Sequence, residues 1–184
     1  SYSTAVQIII TVFMIICSIN FTVYYMFLIK RPKEALMCEE MRYYLLIVFG
    51  SALLIAFNIR ASFASFGKAF QQAIFQVASV ISTTGFATAD FNLWPEFSRM
   101  ILVLLMFVGA CAGSTGGGFK VSRLIIMVKS VRNEIMSVTH PRSVQKVHMD
   151  GRRIPDNVVK TVLCYLAGYV VILIVSVLLI SLDN

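Results

Sequence analysis

Long parts of this sequence carry no charge. None occurs from Ser1 to Ile29, and none lies between Thr161 and Leu182. Charged residues make up 14% of the chain against 58% hydrophobic residues, and the mean hydropathy is +0.82. A soluble domain is about 45–50% apolar, so that class is excluded and a membrane protein is expected. Cysteine is sparse and scattered: Cys17, Cys38, Cys111 and Cys164 stand singly, without a Cys-x-x-Cys pair. That excludes a disulfide framework and a zinc ribbon. The histidines, His140 and His148, have no cysteine or carboxylate cluster at ligand spacing, so no metal site is expected. A basic signal-peptide start is also missing. The chain opens on Ser1 inside an apolar run, and it is expected to be a piece of a longer protein or to have had its N-terminus removed.

The charge that is present is segregated. The net charge is +7, and nine of the sixteen basic residues lie between Lys120 and Lys160. Lys30, Arg31, Lys33 and Arg42 flank one short turn. Cytoplasmic loops of membrane proteins concentrate Lys and Arg in this way, so residues 30–42 and 129–160 are expected to be cytoplasmic. No nucleic-acid recognition motif accompanies the charge, and nucleic acid is not an expected partner.

A span needs about 20 apolar residues, and Ala5 to Ile29 supplies one. Gln7 and Asn20 are its strongly polar members, each expected to face a neighbouring helix. Tyr24-Tyr25 suit an interfacial belt, and Pro32 with its basic neighbours stops the helix. A second span runs from about Met41 to Ile59. From Phe63 to Ile81, Phe66, Phe70, Ile74, Val77 and Ile81 recur at spacings of three or four among Ser and Gln residues. That pattern predicts an amphipathic helix, too short and polar to face lipid, and it reads as a re-entrant pore helix. Trp94 suits an interface, and Pro95-Glu96 suit the start of the next helix. The segment from Glu96 to about Ser137 would be about 60 Å long as one helix, against about 30 Å of hydrocarbon. Its run of glycines breaks it. Lys129 to Lys160 reads as a polar loop, and Val158 to Leu182 as the last span. The expected fold is an all-α membrane protein with four spanning helices and one re-entrant pore helix.

Two irregular stretches at membrane depth remain, and both need protein or water to satisfy their backbone. The first is Ser82-Thr83-Thr84-Gly85-Phe86. Backbone carbonyls can replace a cation's hydration shell, Gly85 permits unusual backbone conformations, and the negative end of the pore helix favours a cation. Asp90 would raise the local cation concentration at the outer mouth. The bland alternative is a helix C-cap with Gly85 as its glycine. The second stretch is Gly113-Ser114-Thr115-Gly116-Gly117-Gly118. Phe119 before Lys120 and Val121 after it break the phosphate-loop pattern. An intramembrane hydrolase using Ser114 lacks a base in the apolar segments, so no enzyme is expected. Gly109, Gly113 and Gly117 at four-residue spacing could serve close helix packing, which leaves Ser114-Thr115 unexplained.

The order of pore helix, Ser82-Thr83-Thr84-Gly85-Phe86, Trp94-Pro95 and a helix broken at Gly113 to Gly118 resembles the Trk/Ktr/HKT superfamily of cation transporters. Cys111 to Lys120 and His140-Pro141-Arg142 resemble its bacterial potassium-uptake branch in particular. Ala110 stands where that pattern leads one to expect glycine. The resemblance implies helix–pore-loop–helix repeats around one potassium-channel-like pore, four in all. Residues 41–137 would be one complete repeat, 1–29 the end of the preceding one, 138–157 a basic cytoplasmic loop and 158–182 the start of the next.

By the same resemblance, carbonyls of Thr83, Thr84, Gly85 and Phe86 would line a quarter of a selectivity filter, with potassium held at Thr83, Thr84 and Gly85. Gly113, Ser114, Thr115, Gly116, Gly117 and Gly118 would form a gate loop. Potassium would be the substrate, with no covalent cofactor. Implied partners are the remaining repeats, a second copy in a homodimer, and a cytosolic nucleotide-binding regulatory subunit of the TrkA kind. The implied location is the bacterial inner membrane, and the implied activity is potassium uptake, with channel-like and symport mechanisms both open. A non-conducting scaffold subunit and a sodium-permeable relative are the alternatives.

Overall fold

The computed structural model describes residues 3–139 and 146–182. His140-Pro141-Arg142 therefore lie outside the described residues. The chain forms two compact units, Ser1–Ser122 and Arg123–Asn184.

In the first unit, α1 (Thr4–Cys17) and α2 (Phe21–Leu28) occupy the stretch expected to be one helix. They are bent by 89° at the intervening break. The physical cause is local. The Asn20 side chain accepts from the Thr22 amide at 2.9 Å, starting a new helix, and Asn competes well for this capping position. The Ser18 hydroxyl donates back to the Met14 carbonyl at 2.8 Å. The half-buried Tyr24 reaches back across the break and donates to the Ile16 carbonyl at 2.5 Å.

Pro32 opens the short α3 (Pro32–Met37), and α4 follows (Glu39–Ile59). Its buried residues Glu40, Tyr44, Val48, Ser51, Ala52, Ile55, Ala56 and Ile59 form one stripe at helical spacing. α5 (Phe66–Ile81) is capped by the Ser65 side chain, which accepts from the Lys68 amide. It lies against α1, α4 and α6 (Glu96–Val108). Ala69, Ala73 and Ala78 are fully buried, and their small side chains let the neighbouring helices approach closely. Trp94 is buried, at 6% exposure.

α7 (Val121–Thr139) begins at the end of this unit. The helix continues to Thr139, so the loop expected from Lys129 to Lys160 begins later. A two-stranded hairpin lies within it, β1 (His148–Met149) paired with β2 (Arg152–Arg153). Its turn residues Asp150 and Gly151 both have positive φ, 50° and 72°, as a tight hairpin turn requires. α8 (Asp156–Ser181) is apolar around its circumference, with Val162 its buried residue. In this second unit the Arg123 guanidinium lies 3.9 Å from the centroid of the Tyr165 ring.

Glu39–Ser62 and Asp156–Ser181 are long and apolar enough to cross a membrane, and the bent α1–α2 pair is a third candidate if it counts as one span. α6 and α7 form the interrupted segment, separated by the glycine-rich loop.

Ala73→Leu should overpack the surroundings of α5 and cost about 1–3 kcal/mol. Thermal unfolding of the full-length protein in detergent should occur at a lower temperature. An unchanged or raised midpoint would contradict this packing.

Candidate functional site

The site begins at the C-terminal end of α5. The Thr83 amide donates to the Val80 carbonyl at 3.1 Å, and the Thr84 amide to the Ser79 carbonyl at 3.0 Å. This pair of bonds is a Schellman cap. Its left-handed position is held by Thr83, with φ of 57°, and not by Gly85. A residue with a side chain is strained there by about 1–2 kcal/mol. The Thr83 hydroxyl has a reason to be present: it donates to the Ser82 carbonyl at 2.7 Å and accepts from the Gly117 amide at 2.9 Å. Gly85 has its own positive φ of 80° two residues later. A simple glycine cap therefore does not account for this turn.

The turn sorts donors from acceptors. The Thr84 and Gly85 amides both point to the Ser79 carbonyl, at 3.0 and 3.4 Å. Among the described residues, no donor reaches the carbonyls of Thr83, Thr84 or Gly85, and all three residues are exposed. The Phe86 carbonyl differs from these, because it accepts from the buried Ser79 hydroxyl at 2.5 Å. It is therefore drawn toward α5. The Ser82 and Thr84 hydroxyls share a 2.7 Å hydrogen bond. The outgoing limb is tied by Thr88, whose hydroxyl donates to Gln72 Oε1 at 2.6 Å. Gln71 and Gln72 in turn donate to Gln7 Oε1 of α1, at 3.0 and 3.4 Å. Asp90 is exposed and caps the 3-10 turn Phe91–Leu93, accepting from the Asn92 amide at 3.0 Å.

The glycine-rich loop closes on itself. The amides of Phe119, Lys120 and Val121 donate to the carbonyls of Phe107, Val108 and Ala110, at 3.1, 2.9 and 3.0 Å. The first two satisfy carbonyls left over at the end of α6, and the third satisfies one two residues beyond it. Gly109 and Gly118 cross at this neck. A Cβ on Gly109 would lie 2.4 Å from the Gly117 carbonyl oxygen, and one on Gly118 would lie 2.7 Å from the Gly109 Cα. The Lys120 ammonium bonds the Gly116 carbonyl. Gly116 lies so close to the turn after α5 that its Cβ would be 3.3 Å from the Ser82 carbonyl oxygen. The two irregular stretches are thus in direct contact.

The loop also repairs the α1–α2 break. The Cys111 amide donates to the Ser18 carbonyl at 3.1 Å, and the Phe21 amide to the Gly113 carbonyl at 3.2 Å. Thr115 reaches the Cys17 carbonyl with its amide at 3.4 Å and its hydroxyl at 3.1 Å. The Ser114 hydroxyl stays within the loop, donating to the Cys111 carbonyl at 2.6 Å.

Glu40 is a participant that the sequence reading missed. It is 3% exposed. Its Oε1 accepts from the Ala112 amide at 2.6 Å and the Ser122 amide at 3.1 Å, and its Oε2 from Asn20 Nδ2 at 3.2 Å. A signal was available, since Glu40 lies four residues before Tyr44 on the buried stripe of α4, whereas Glu39 lies off it.

A buried helix that ends in a carbonyl-exposing turn, followed by an interrupted helix, defines the helix–pore-loop–helix class of all-α membrane protein. Residues 53–184 match the family model for TrkH, described as a cation transport protein. The Trk system potassium uptake protein TrkH of Vibrio parahaemolyticus is 33% identical over 182 residues, covering 96% of this chain and 37% of that protein. The Escherichia coli K12 protein of the same name is 30% identical over 182 residues, with the same coverage. The crystal structure of the potassium transporter TrkH from Vibrio parahaemolyticus matches with a TM-score of 0.88 and 32% identity, over 95% of this chain and 38% of that one. The chain belongs to the TrkH family of cation transport proteins. It spans little more than a third of the length of these relatives. The family consists of transporters, not enzymes.

Gly109→Ala should be far more damaging than Gly85→Ala. The first places a methyl group 2.4 Å from a backbone oxygen, whereas nothing lies within 4 Å of the second. Gly85→Ala should cost only the backbone strain, about 1–2 kcal/mol. Equal losses of thermal stability in the two full-length variants would contradict the close crossing at the loop neck.

Proposed function

We propose that this chain carries part of a pore for potassium uptake across the bacterial inner membrane. The single observation behind this reading is the polarity of the turn after α5. Its amides are spent on the Val80 and Ser79 carbonyls, while the carbonyls of Thr83, Thr84 and Gly85 have no donor among the described residues. Oxygen-only lining is what a cation needs when it sheds water. Relatives named as potassium uptake proteins favour potassium over sodium as that cation.

In this reading, potassium is coordinated at Thr83, Thr84 and Gly85. Phe86 lines the same filter while its carbonyl is steadied by Ser79. Asp90 at the outer mouth concentrates cations. Gly113 to Gly118, touching the filter turn through Gly116 and Gly117, form a gate whose displacement opens the path. Residues 41–137 act as one repeat, 1–29 complete the preceding one and 158–182 begin the next. The remaining repeats of the transporter supply the rest of the filter ring. Residues 30–42 and 129–160 face the cytoplasm, with 138–157 as the basic loop. This side would meet a TrkA-like nucleotide-binding regulatory subunit, and two copies of the transporter would pair.

Gly85→Ser tests the filter. A side chain at φ of 80° strains the turn and tilts the flanking carbonyls. In the complete transporter, rubidium influx relative to sodium influx should fall. An unchanged ratio in a folded variant would contradict the filter assignment.

A further inference from the structure

A carboxylate buried to 3% exposure is costly unless its oxygens are fully engaged. Glu40 meets that demand in an unusual way. Its donors are two backbone amides and the Asn20 side chain. Ala112 lies just before the glycine run, and Ser122 lies just after the loop, in the first turn of α7. One oxygen atom therefore joins the two ends of the loop. The other oxygen ties that junction to the α1–α2 break, where Asn20 also caps α2. Charge-assisted bonds of this kind are about twice as strong as neutral ones, and the N-terminal end of α7 carries a partial positive charge that favours an anion. Nothing in helix formation by α4 requires a buried glutamate at this position, because Glu39 already places an acid in the first turn.

We propose that Glu40 is the positioning residue that holds the glycine-rich loop in its closed form. It does not touch the ion path. It fixes the spacing between Ala112 and Ser122 and so keeps Gly116 and Gly117 against Ser82 and Thr83. Loss of the carboxylate frees the loop ends from α4 and α2 while leaving the Ser79-centred bonds of the filter turn intact. Opening therefore requires the Glu40 contacts to lengthen or exchange donors. This inference rests on reading Gly113 to Gly118 as the gate.

The test uses the complete transporter in proteoliposomes, with Glu40→Ala, the shape-conserving Glu40→Gln, and a deletion of residues 113–118 as the ungated reference. In Glu40→Ala, amide exchange in peptides containing Ala112 and Ser122 should be about tenfold faster, as expected for losing a hydrogen bond to a charged group. Rubidium influx should rise several-fold toward the deletion's level, with the rubidium-to-sodium ratio unchanged. Glu40→Gln should fall between wild type and Glu40→Ala, and it carries the test if the alanine variant does not fold. A merely structural role would lower flux or disturb selectivity, and either result overturns the proposal. So would faster exchange without raised flux when the deletion does raise it. If the deletion itself leaves flux unchanged, the gate reading fails, and the proposal falls with it.

Discussion

Two breaks in helical structure satisfy each other's backbone, and the architecture of the first unit depends on that pairing. An interrupted helix leaves unpaired amides and carbonyls, and an apolar surrounding offers them no water. Residues 17–21 and 111–115 exchange these groups directly. Either break alone would carry a penalty of the order of 1–3 kcal/mol for each buried unsatisfied group. Together they form a junction that Glu40 closes from a third element. The glycines at the neck belong to the same constraint. Gly109 and Gly118 cross so closely that a side chain on either would collide with backbone.

That junction determines where the loop can lie, and the loop determines what surrounds the turn after α5. The Thr83 hydroxyl links the two through the Gly117 amide. A threonine in the strained left-handed position is thus explained by a tertiary contact that glycine could not make. The cap supplies the rest of the chemistry. By drawing the Thr84 and Gly85 amides onto Ser79, it leaves successive carbonyls for something outside the chain. The turn after α5 and the glycine-rich loop form a continuous structure in which each element's hydrogen bonds constrain the other.

Much of this was legible in the sequence. The three- and four-residue spacing identified α5, because amphipathic periodicity survives whatever surrounds the helix. α5 ends at Ile81 as expected but starts at Phe66, capped by Ser65, three residues after the expected Phe63. The glycine run marked the interrupted helix, since no lipid-facing helix needs it. The α1–α2 break was not legible. Residues 4–28 contain neither glycine nor proline, and Asn20 alone does not distinguish a cap from a helix-facing polar residue. Only partners some ninety residues away make the break stable. Glu40 stands beside Glu39 at a helix start, where an acid is ordinary, and local charge patterns do not reveal whether a position will be covered. The hairpin at 148–153 was signalled by Asp150-Gly151, but its strands are too short to show alternation.

The carbonyls of Thr83, Thr84 and Gly85 are proposed to hold the transported cation. Anomalous diffraction from crystals of the complete transporter grown in rubidium tests it most directly. The account predicts a rubidium peak within coordination distance of these oxygens, on the face of the turn away from Ser79. Rubidium bound instead at the Ser114-Thr115 hydroxyls, with the three carbonyls left vacant, would contradict it.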